Sequence, residues 1–430
     1  MRPNDSHGER AEIDGRNVSR RRLLQATGVA GVAGFAGCVS ETEDNGNGGG
    51  NGNGGDDGEI GTVTFGVLSP VSGGFSPQGG PQRQGAETAV EYINESDEFD
   101  FEIEAVYEDT ETEPSVGRRR AQRVVEEDEA EYIVGAVNSA VALAISEYAA
   151  SQEVIYTSGG AAMELTEEEC NAYTFRNETN TAQQASGLSE WILEEGYENV
   201  WIHTADYAYG NSAVEEIEAS LEGEDVEIIG ATVPSLGTDD FGPYISQISN
   251  SDADVLAIPL TGGDLIDFIG QADSAGLKDD VDIIGTANFA RVVRNALGPA
   301  VADTYSAALY DADLEVGDNE QFVSHYEEMH DELPDAFSRV GYEAVRMTAR
   351  GIQEAGTSNP SEVKDVLPDV EMETILGTTH FRDCDHQSAN PVWPSEIVLP
   401  DEDAEMTELN ILSEIPPEET TPDCSGNCEM

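Results

Sequence analysis

The stretch VTFGVLSPVSGG at residues 63–74 joins a short apolar segment to a loop of serine, proline and glycine. Similar apolar segments recur at residues 101–107, 132–137, 154–157, 200–203, 226–233, 255–259 and 281–284. Between them lie segments with helical periodicity, at residues 85–93, 116–127, 140–150, 182–195, 213–221, 244–248 and 265–275. Strands that alternate with helices in this way predict an α/β fold, with parallel sheets covered by helices on both faces.

Small residues cluster where several of these predicted strands end. The first strand is followed by SPVSGG at residues 69–74, the third by Asn138 and Ser139, and the fourth by TSGGA at residues 157–161. In open α/β sheets, ligands bind at the carboxyl ends of the strands, where loop backbones approach them closely. The repetition of such loops predicts one shared ligand cleft. After residue 322 helices dominate, and a late strand is expected at residues 396–399.

The first 37 residues have the pattern of an export signal. Arg20 and Arg21 precede an apolar segment at residues 26–37, whose last two residues form the sequence AGC with Cys38. About twelve apolar residues are too few to span a bilayer, which needs about twenty. The arginine pair predicts export by the twin-arginine pathway. The small residues before Cys38 predict a lipid-modified cysteine that anchors the protein to the outer face of the cell membrane.

The chain is strongly acidic, with 87 acidic and 20 basic residues. Residues 1–37 hold four of the acids and six of the bases, so the remainder has 83 acidic and 14 basic residues, a net charge of about −69. Molar salt shortens the Debye length to about 3 Å and screens the resulting repulsion. We therefore predict adaptation to a hypersaline exterior and exclude nucleic acid as a partner.

Composition also separates the folded region from its flanks. Residues 40–57 are almost entirely Gly, Asn, Asp, Glu and Thr, so we predict a disordered linker at residues 38–60. The segment PPEETTP at residues 416–422 favours a disordered tail at residues 413–430. The region between them, about 350 residues, is long enough for two domains with real cores.

Beyond Cys38, the chain has four cysteines, and export permits disulfides between them. They are Cys170, Cys384, Cys424 and Cys428. The chain contains no C-x-x-C motif, and no histidine cluster accompanies the segment CSGNC at residues 424–428. We therefore predict no metal site and no cofactor.

Several segments, in chain order, resemble the branched-chain amino acid-binding proteins of ABC importers. They are residues 63–74, GAETAVEYIN at 85–94, GAVNS at 135–139, ELT at 164–166, YTFR at 173–176, YG at 209–210 and DDF at 239–241. The segments QADSAGLK at residues 271–278 and DHQ at residues 385–387 extend the resemblance. It covers residues 62–399, nearly the whole folded region.

This resemblance implies a type I periplasmic-binding fold, in which two doubly wound parallel-sheet lobes are joined by three crossovers. Lobe 1 is expected at residues 61–180 and 310–388, and lobe 2 at residues 181–309 and 389–412. The implied function is that of a lipid-anchored binding protein that captures a small molecule between its lobes by hinge closure and delivers it to an ABC permease.

The resemblance also implies a disulfide. The segments around Cys170 and Cys384 belong near the lobe crossovers, so a Cys170–Cys384 disulfide is expected. Cys424 and Cys428 then remain to close a small loop in the tail.

The resemblance assigns ligand contacts position by position. Ser139 matches the family hydroxyl that holds the ligand carboxylate. Gly159, Gly160 and Ala161 form the second anchoring loop, and Tyr209 matches the aromatic that closes from lobe 2. The remaining candidates are Gln78, Asn138, Thr261 and Asn288.

The ammonium side of the family pattern is altered in this chain. Ala161 replaces a hydroxyl that often receives the ligand ammonium, and TANF at residues 286–289 replaces a common acidic residue. Thr261 stands where an aromatic is often found, and Asp206 and Asp264 are alternative partners for the ammonium. An unpartnered buried ammonium costs several kcal/mol. The ligand classes therefore include amides, urea and aromatic or aliphatic acids beside branched-chain amino acids.

Two other function classes are compatible with an exported α/β protein. An exported α/β enzyme would need a nucleophile and a base, but the chain has no G-x-S-x-G motif and none of its six histidines lies in a triad context. We therefore predict that the protein is not an enzyme. The remaining alternative is a ligand-sensing receptor module, which a permease and an ATPase encoded beside the gene would argue against.

Overall fold

The structure is a computed structural model that describes residues 60–286, 289–401, 404–428 and 430. The strands are β1 (Gly61–Ser69), β2 (Phe101–Asp109), β3 (Tyr132–Gly135), β4 (Ile155–Ser158), β5 (Thr174–Arg176), β6 (Asn199–His203), β7 (Glu227–Thr232), β8 (Val255–Ile258), β9 (Asp282–Gly285), β10 (Thr304–Ala308), β11 (Met372–Thr374), β12 (Gly377–Thr379), β13 (Trp393–Val398) and β14 (Glu408–Ile411). The helices are α1 (Ser76–Glu95), α2 (Pro114–Glu126), α3 (Ser139–Ser151), α4 (Thr181–Glu195), α5 (Ala208–Leu221), α6 (Gly242–Ser249), α7 (Gly262–Ala275), α8 (Arg291–Leu297), α9 (Asn319–His330), α10 (Ala336–Ala355), α11 (Pro360–Val363) and α12 (Pro417–Thr420).

Lobe 1 is built on a five-stranded sheet with the order β2-β1-β3-β4-β5, in which every pair is parallel. Helices α2 and α3 cover one face through Val124 and Ile145, and α1 and α10 cover the other. The backbones of α1 and α10 touch. A Cβ atom on Gly85 would lie 1.9 Å from the carbonyl oxygen of Ser338, and one on Gly341 would lie 1.9 Å from that of Gln82. Glycine at residues 85 and 341 is therefore required by this helix pair.

Lobe 2 is built on a seven-stranded sheet with the order β14-β13-β10-β9-β8-β6-β7. The strands β6 to β10 are parallel to their neighbours, whereas β13 is antiparallel to β10 and β14 is antiparallel to β13. Helices α4 and α5 pack on one face, around Leu188 and Ile217. Helices α6, α7 and α8 pack on the other, around Ile245, Phe268 and Val293.

The chain passes between the two lobes three times. It crosses from β5 to α4 at residues 177–180, returns between β10 and α9 at residues 309–318, and crosses again before β13 at residues 389–392. Helices α9, α10 and α11 add to the core of lobe 1. The predicted fold class, two parallel-sheet lobes joined by three crossovers, is confirmed.

The disulfide prediction is wrong. Cys170 is bonded to Cys428, and Cys384 is bonded to Cys424, with Cα–Cα distances of 5.5 and 6.3 Å. Both lobe 1 cysteines are therefore paired with the tail, and Cys424 and Cys428 do not close a loop with each other. The C-terminal segment runs back to lobe 1 and brings its cysteines to these two sites.

The tail also differs from the disordered segment that its composition favours. Residues 417–420 form α12, and the Thr420 hydroxyl donates a hydrogen bond to the Asn390 carbonyl at 2.7 Å. The Val392 and Ile415 backbones pair at 3.0 and 2.8 Å. Disulfides and backbone pairing compensate for the scarcity of apolar side chains, which is why composition alone did not predict this order.

The predicted signal, the anchor at Cys38 and the linker lie outside the described residues. Within those residues, no helix combines the length and apolarity that crossing a bilayer requires.

Candidate functional site

The loops at the carboxyl ends of the strands of both lobes face each other and are in contact. The Gly263 amide donates a hydrogen bond to the Gly74 carbonyl at 2.8 Å. Phe75 packs edge-on against Tyr207, with ring centroids 5.9 Å apart. Gly262 has a φ of +67°, and a Cβ atom there would lie 2.8 Å from the Gly74 carbonyl oxygen. The lobes are therefore closed onto each other at the edge where the sequence predicts a ligand cleft.

A small cavity of about 30 Å³ lies between the lobes. Lobe 1 and its crossovers contribute Val137, Gly159, Ala161, Glu178, Leu309, Ala336 and Phe337 to its lining. Lobe 2 contributes Gln184, Tyr207, Tyr209 and Thr261. The walls are mainly apolar and aromatic, with a few polar groups that converge on one space, which is the usual composition of a small-molecule site.

Ser139 supports the cleft from behind its surface. It is the first residue of α3, it is 1% exposed, and its Oγ accepts hydrogen bonds from the Ala161 and Ala162 amides, both at 3.2 Å. It is not part of the cavity lining. The structure thus shows this hydroxyl fixing the second anchoring loop, and its direct contact with a ligand carboxylate stays a prediction.

The second anchoring loop follows β4 and reaches the cavity at two of its three predicted residues. Gly159 and Ala161 line the cavity. A Cβ atom on Gly159 would lie 2.5 Å from the Ala136 carbonyl oxygen, so only glycine fits there. Gly160 instead faces α3, where a Cβ atom would lie 2.6 Å from that of Ala142.

Tyr209 enters the cavity from the first turn of α5. Its hydroxyl donates to Gln184 Oε1 at 2.9 Å and lies 2.6 Å from Thr286 Oγ1. Its ring centroid lies 5.9 Å from that of Tyr207. Burial raises the pKa of Tyr207 well above its ordinary value, so this hydroxyl stays protonated at neutral pH. The structure therefore presents two tyrosines from lobe 2 to the cavity, Tyr207 and Tyr209.

The other candidates have different positions. Asn138 caps α3, because its Oδ1 accepts from the Val141 amide at 3.1 Å. Gln78 is fully buried and donates from Nε2 to the Thr261 hydroxyl at 3.3 Å, a bond that joins the two lobes. Gln78 Oε1 has no hydrogen-bond partner among the described residues. Asn288 lies outside the described residues.

Neither alternative acid reaches the cavity lining. The Asp264 carboxylate accepts from the Gly237 amide at 2.9 Å within lobe 2. Asp206 is exposed and accepts from Asn211 Nδ2 at 3.4 Å. Sequence reasoning missed three polar residues of the lining, Glu178, Gln184 and Tyr207, and of these Glu178 lies in the first crossover.

Glu178 is the only charged residue of the lining in the part of the chain that the structure describes. Its Oε1 accepts from the Thr179 amide at 2.7 Å and from Arg339 Nη2 at 3.3 Å. Arg339, from α10, also donates to the Asn177 carbonyl at 3.1 Å. Burial raises the pKa of Glu178, and Arg339 opposes that rise. The lining therefore offers carboxylate oxygens to a hydrogen-bond donor.

Comparison with known proteins agrees with this architecture. The model of the periplasmic binding protein family matches residues 62–403. The chain belongs to that family. The resemblance found in the sequence is confirmed, and so is the parallel two-lobed fold that it implies.

Three similar proteins illustrate the range of the family. The Leu/Ile/Val-binding protein homolog 4 of Brucella melitensis biotype 1 is 24% identical over 327 residues, covering 71% of this chain and 76% of that protein. An amino acid ABC transporter substrate-binding protein from Pseudomonas fluorescens Pf-5 has a TM-score of 0.78 at 21% identity, covering 86% and 99% of the two chains. An ABC transporter solute-binding protein from Rhodopseudomonas palustris BisB5, in complex with 3,4-dihydroxybenzoic acid, has a TM-score of 0.76 at 19% identity, covering 83% and 98%.

The described part of the chain holds no group of three or more Cys, His, Asp or Glu side chains arranged to bind a metal ion. The chemistry that the cavity offers is hydrogen bonding, one paired carboxylate and apolar contact. These groups are suited to holding a small molecule between the lobes.

Proposed function

We propose that this protein is the solute-binding component of an ABC importer and that it captures a small molecule between its two lobes. The observation that carries the proposal is the cavity at the carboxyl ends of both sheets, lined by Ala161 from lobe 1 and Tyr209 from lobe 2. A ligand that contacts both lobes only when they are closed shifts the hinge equilibrium toward the closed state. The closed pair of lobes then forms the surface that an ABC permease recognises.

The closed structure requires movement for ligand entry. A cavity of about 30 Å³ has room for water but not for an amino acid, and the Gly74–Gly263 and Gln78–Thr261 hydrogen bonds hold the two lobes together. The three crossovers are the elements about which the lobes separate. Opening at these crossovers admits the ligand, and the lobes then close around a space larger than the cavity of this structure, because an amino acid needs more than about 30 Å³.

We propose a small amino acid with an apolar side chain as the ligand. Glu178 is the partner for the ammonium group of the ligand. It takes the place of the family hydroxyl that Ala161 lacks. Val137, Leu309 and Phe337 supply an apolar wall for the side chain. The name of the Brucella relative indicates branched-chain ligands, which supports this choice.

An aromatic acid is the competing ligand, since the Rhodopseudomonas protein was solved with 3,4-dihydroxybenzoic acid. Such a ligand carries a carboxylate but no ammonium. In the described lining, Glu178 is the charged group and no arginine or lysine faces the cavity. An ionised carboxylate only accepts hydrogen bonds, which a ligand ammonium can donate and a ligand carboxylate cannot, so this lining favours a ligand with a cationic nitrogen.

Export by the twin-arginine pathway and a lipid anchor at Cys38 complete the proposal. They rest on the sequence of residues 19–38 and on the acidic, glycine-rich linker that follows. Two acyl chains on Cys38 give stable anchoring where one chain would not. The linker then lets the lobes reach the permease.

A ligand screen on residues 39–430 tests the proposal. Leucine, isoleucine, valine, alanine, short amides, urea and 3,4-dihydroxybenzoate are added singly, and the melting temperature is measured at high salt. A ligand at 100 times its dissociation constant adds about 2.7 kcal/mol to the free energy of unfolding. We expect the aliphatic amino acids to raise the melting temperature. A shift with 3,4-dihydroxybenzoate alone would overturn the amino acid assignment but keep the solute-binding function.

A further inference from the structure

The C-terminal segment is attached first to lobe 2. Strand β14 extends the lobe 2 sheet, and the Ile415 and Val392 backbones pair just beyond it. Helix α12 then packs against α4, and the Thr421 hydroxyl accepts a hydrogen bond from Gln183 Nε2 at 2.9 Å. Residues 408–421 therefore move with lobe 2.

The residues that follow are attached to lobe 1. Arg382 Nη1 donates to the Pro422 carbonyl at 2.6 Å. Cys424 is bonded to Cys384, and Cys428 is bonded to Cys170. The segment around Cys384 belongs to lobe 1, because Phe381 packs in its core and Gln387 bridges to Arg176 of β5. Cys170 lies in the loop that precedes β5.

We propose that residues 421–424 form a strap, a fourth connection between the lobes that limits how far they open. The three crossovers are continuous main chain, whereas the strap is closed by the Cys384–Cys424 disulfide. From Thr421 to Cys424 the chain advances three residues, which span at most about 10–11 Å when fully extended. The strap therefore prevents two surfaces from separating by more than about 10–11 Å. These are the lobe 2 surface that holds Thr421 and the lobe 1 surface that carries Cys384.

The strap favours ligand binding by restricting the open state. An open pair of lobes samples many orientations, and closure gives up that freedom. A cross-link that removes open orientations lowers the entropy lost on closure, in the way that a disulfide lowers the entropy lost on folding. The closed state then becomes more populated, and the apparent affinity for a ligand that binds this state increases.

The two disulfides provide a matched pair of variants. The double substitution Cys384→Ser, Cys424→Ser leaves the tail tied only through Cys428, so the strap lengthens from three residues to seven, or about 25 Å extended. The double substitution Cys170→Ser, Cys428→Ser leaves the short strap intact. We expect only the first variant to open further.

Two readouts measure the effect. Small-angle X-ray scattering without ligand reports the separation of the lobes, and titration calorimetry reports affinity for the ligand found in the screen. The Cys384/Cys424 variant should have a larger radius of gyration than the wild type, and its affinity for the ligand should be lower by about fivefold or more. The Cys170/Cys428 variant should match the wild type in both measurements. Equal behaviour of the two variants would overturn the strap. Because scattering needs no ligand, this outcome is distinct from failure of the proposed function.

An insertion tests the same inference with both disulfides present. A Gly-Ser-Gly-Ser insertion between Asp423 and Cys424 lengthens the strap and removes no side chain. The same insertion between Gly223 and Glu224, in an exposed turn of lobe 2, is the control. We expect wider opening only from the first insertion, and an unchanged radius of gyration there would refute the proposal even if a cysteine variant failed to fold.

Discussion

Glu178 in the first crossover and Arg339 in α10 form an ion pair beside the cavity. Arg339 Nη2 and Glu178 Oε1 are 3.3 Å apart, and the two side chains are only 2% and 7% exposed. This pair joins residues 161 positions apart in the chain at the point where the lobes meet. The pairing holds the Glu178 carboxylate in position without using all of its hydrogen-bonding capacity, since each carboxylate oxygen accepts more than one donor.

The substitution Glu178→Gln should weaken amino acid binding selectively. Glutamine keeps the shape and an acceptor for Thr179 and Arg339, but it removes the negative charge that a ligand ammonium would contact. A hydrogen bond to a charged group contributes about 1.5–3 kcal/mol, so affinity should fall about ten- to hundredfold. Calorimetry with leucine and with 3,4-dihydroxybenzoate measures the selectivity.

The matched control for this substitution is Glu343→Gln. Glu343 is also a buried carboxylate, and it accepts from the Ile375 amide at 2.7 Å and lies 3.9 Å from Arg346, but it does not line the cavity. We expect Glu343→Gln to leave amino acid affinity unchanged. Equal losses in the two variants would show that Glu178 acts only through stability.

Ser139→Ala should disturb the second anchoring loop. The change leaves the Ala161 and Ala162 amides without their hydroxyl acceptor in a buried site, which costs about 1–3 kcal/mol. We expect a lower melting temperature without ligand and about ten- to hundredfold weaker binding. If affinity falls while the unliganded melting temperature stays unchanged, the hydroxyl contacts the ligand and does not support the loop.

Ser146→Ala is the control for that variant. Ser146 also lies in α3, and its hydroxyl is buried and hydrogen-bonded to Thr174 at 2.8 Å, away from the cavity lining. Its loss should lower the melting temperature but keep the affinity. The two serines thus separate support of the cleft from general stability of the helix.

Much of the fold could be predicted from the sequence pattern, because strands such as β8, VLAI, are continuous apolar segments between turn residues. The strand β5, TFR, was missed because it has only three residues and ends in a buried arginine. Helix α1 begins at Ser76, although the sequence predicts a helix only from residue 85. The prediction starts too late because Pro81, which lies inside the helix, is normally a sign of a helix boundary. Both elements depend on contacts with distant residues, which the local sequence does not show. Strand β5 pairs with β4, and α1 packs against α10.

The site was only partly predictable for a similar reason. Gly159 and Ala161 could be placed by their position after a predicted strand, and Tyr209 and Thr261 by the family resemblance. The structure brings all four together at the cavity. Glu178 was missed because the polar run at residues 177–180 has the composition of a solvated loop. Its burial depends on α10, which is far away in sequence and covers the crossover.

His203 should make lobe 2 sensitive to acid. It is fully buried, stacks on Phe268 at 4.2 Å, and has no hydrogen-bond partner for Nε2 among the described residues. Burial lowers the pKa of His203 from 6.5 to about 3. Between pH 6.5 and about 3, His203 is therefore protonated in the unfolded state but not in the folded state. This residue lowers the free energy of unfolding as pH falls below about 6.5.

The substitution His203→Phe checks this effect, because phenylalanine keeps an aromatic ring against Phe268 but does not titrate. Chemical unfolding is followed at several pH values from about 7 to about 4 in high salt. Wild type should lose more free energy of unfolding than the variant as pH falls, so the difference between them should shift steadily in favour of the variant. A difference that is constant with pH would contradict the assignment.

Salt should stabilise the protein. Residues 38–430 carry a net charge of about −69, and only two lysines, Lys278 and Lys364, occur in the chain. At about 0.1 M salt the Debye length is about 10 Å, whereas at molar salt it is about 3 Å, so repulsion among the acids decreases. Thermal melts in KCl from about 0.1 to 3 M should give a rising melting temperature. Sucrose at matched osmolarity controls for surface exclusion, and an equal rise there would remove charge screening as the cause.

Cys38→Ser should release the protein from the cell. Serine cannot form the thioether that carries the lipid, so an exported chain with this change should appear in the medium, while Val39→Ala should remain with the membrane. Replacing Arg20 and Arg21 by lysine tests the export step separately, because a twin-arginine signal loses its recognition element and the precursor should then stay inside the cell. Immunoblots of cell, membrane and medium fractions measure all three variants. Membrane retention of the Cys38→Ser protein at the wild-type level would contradict lipid anchoring, and normal export of the lysine variant would contradict the twin-arginine route.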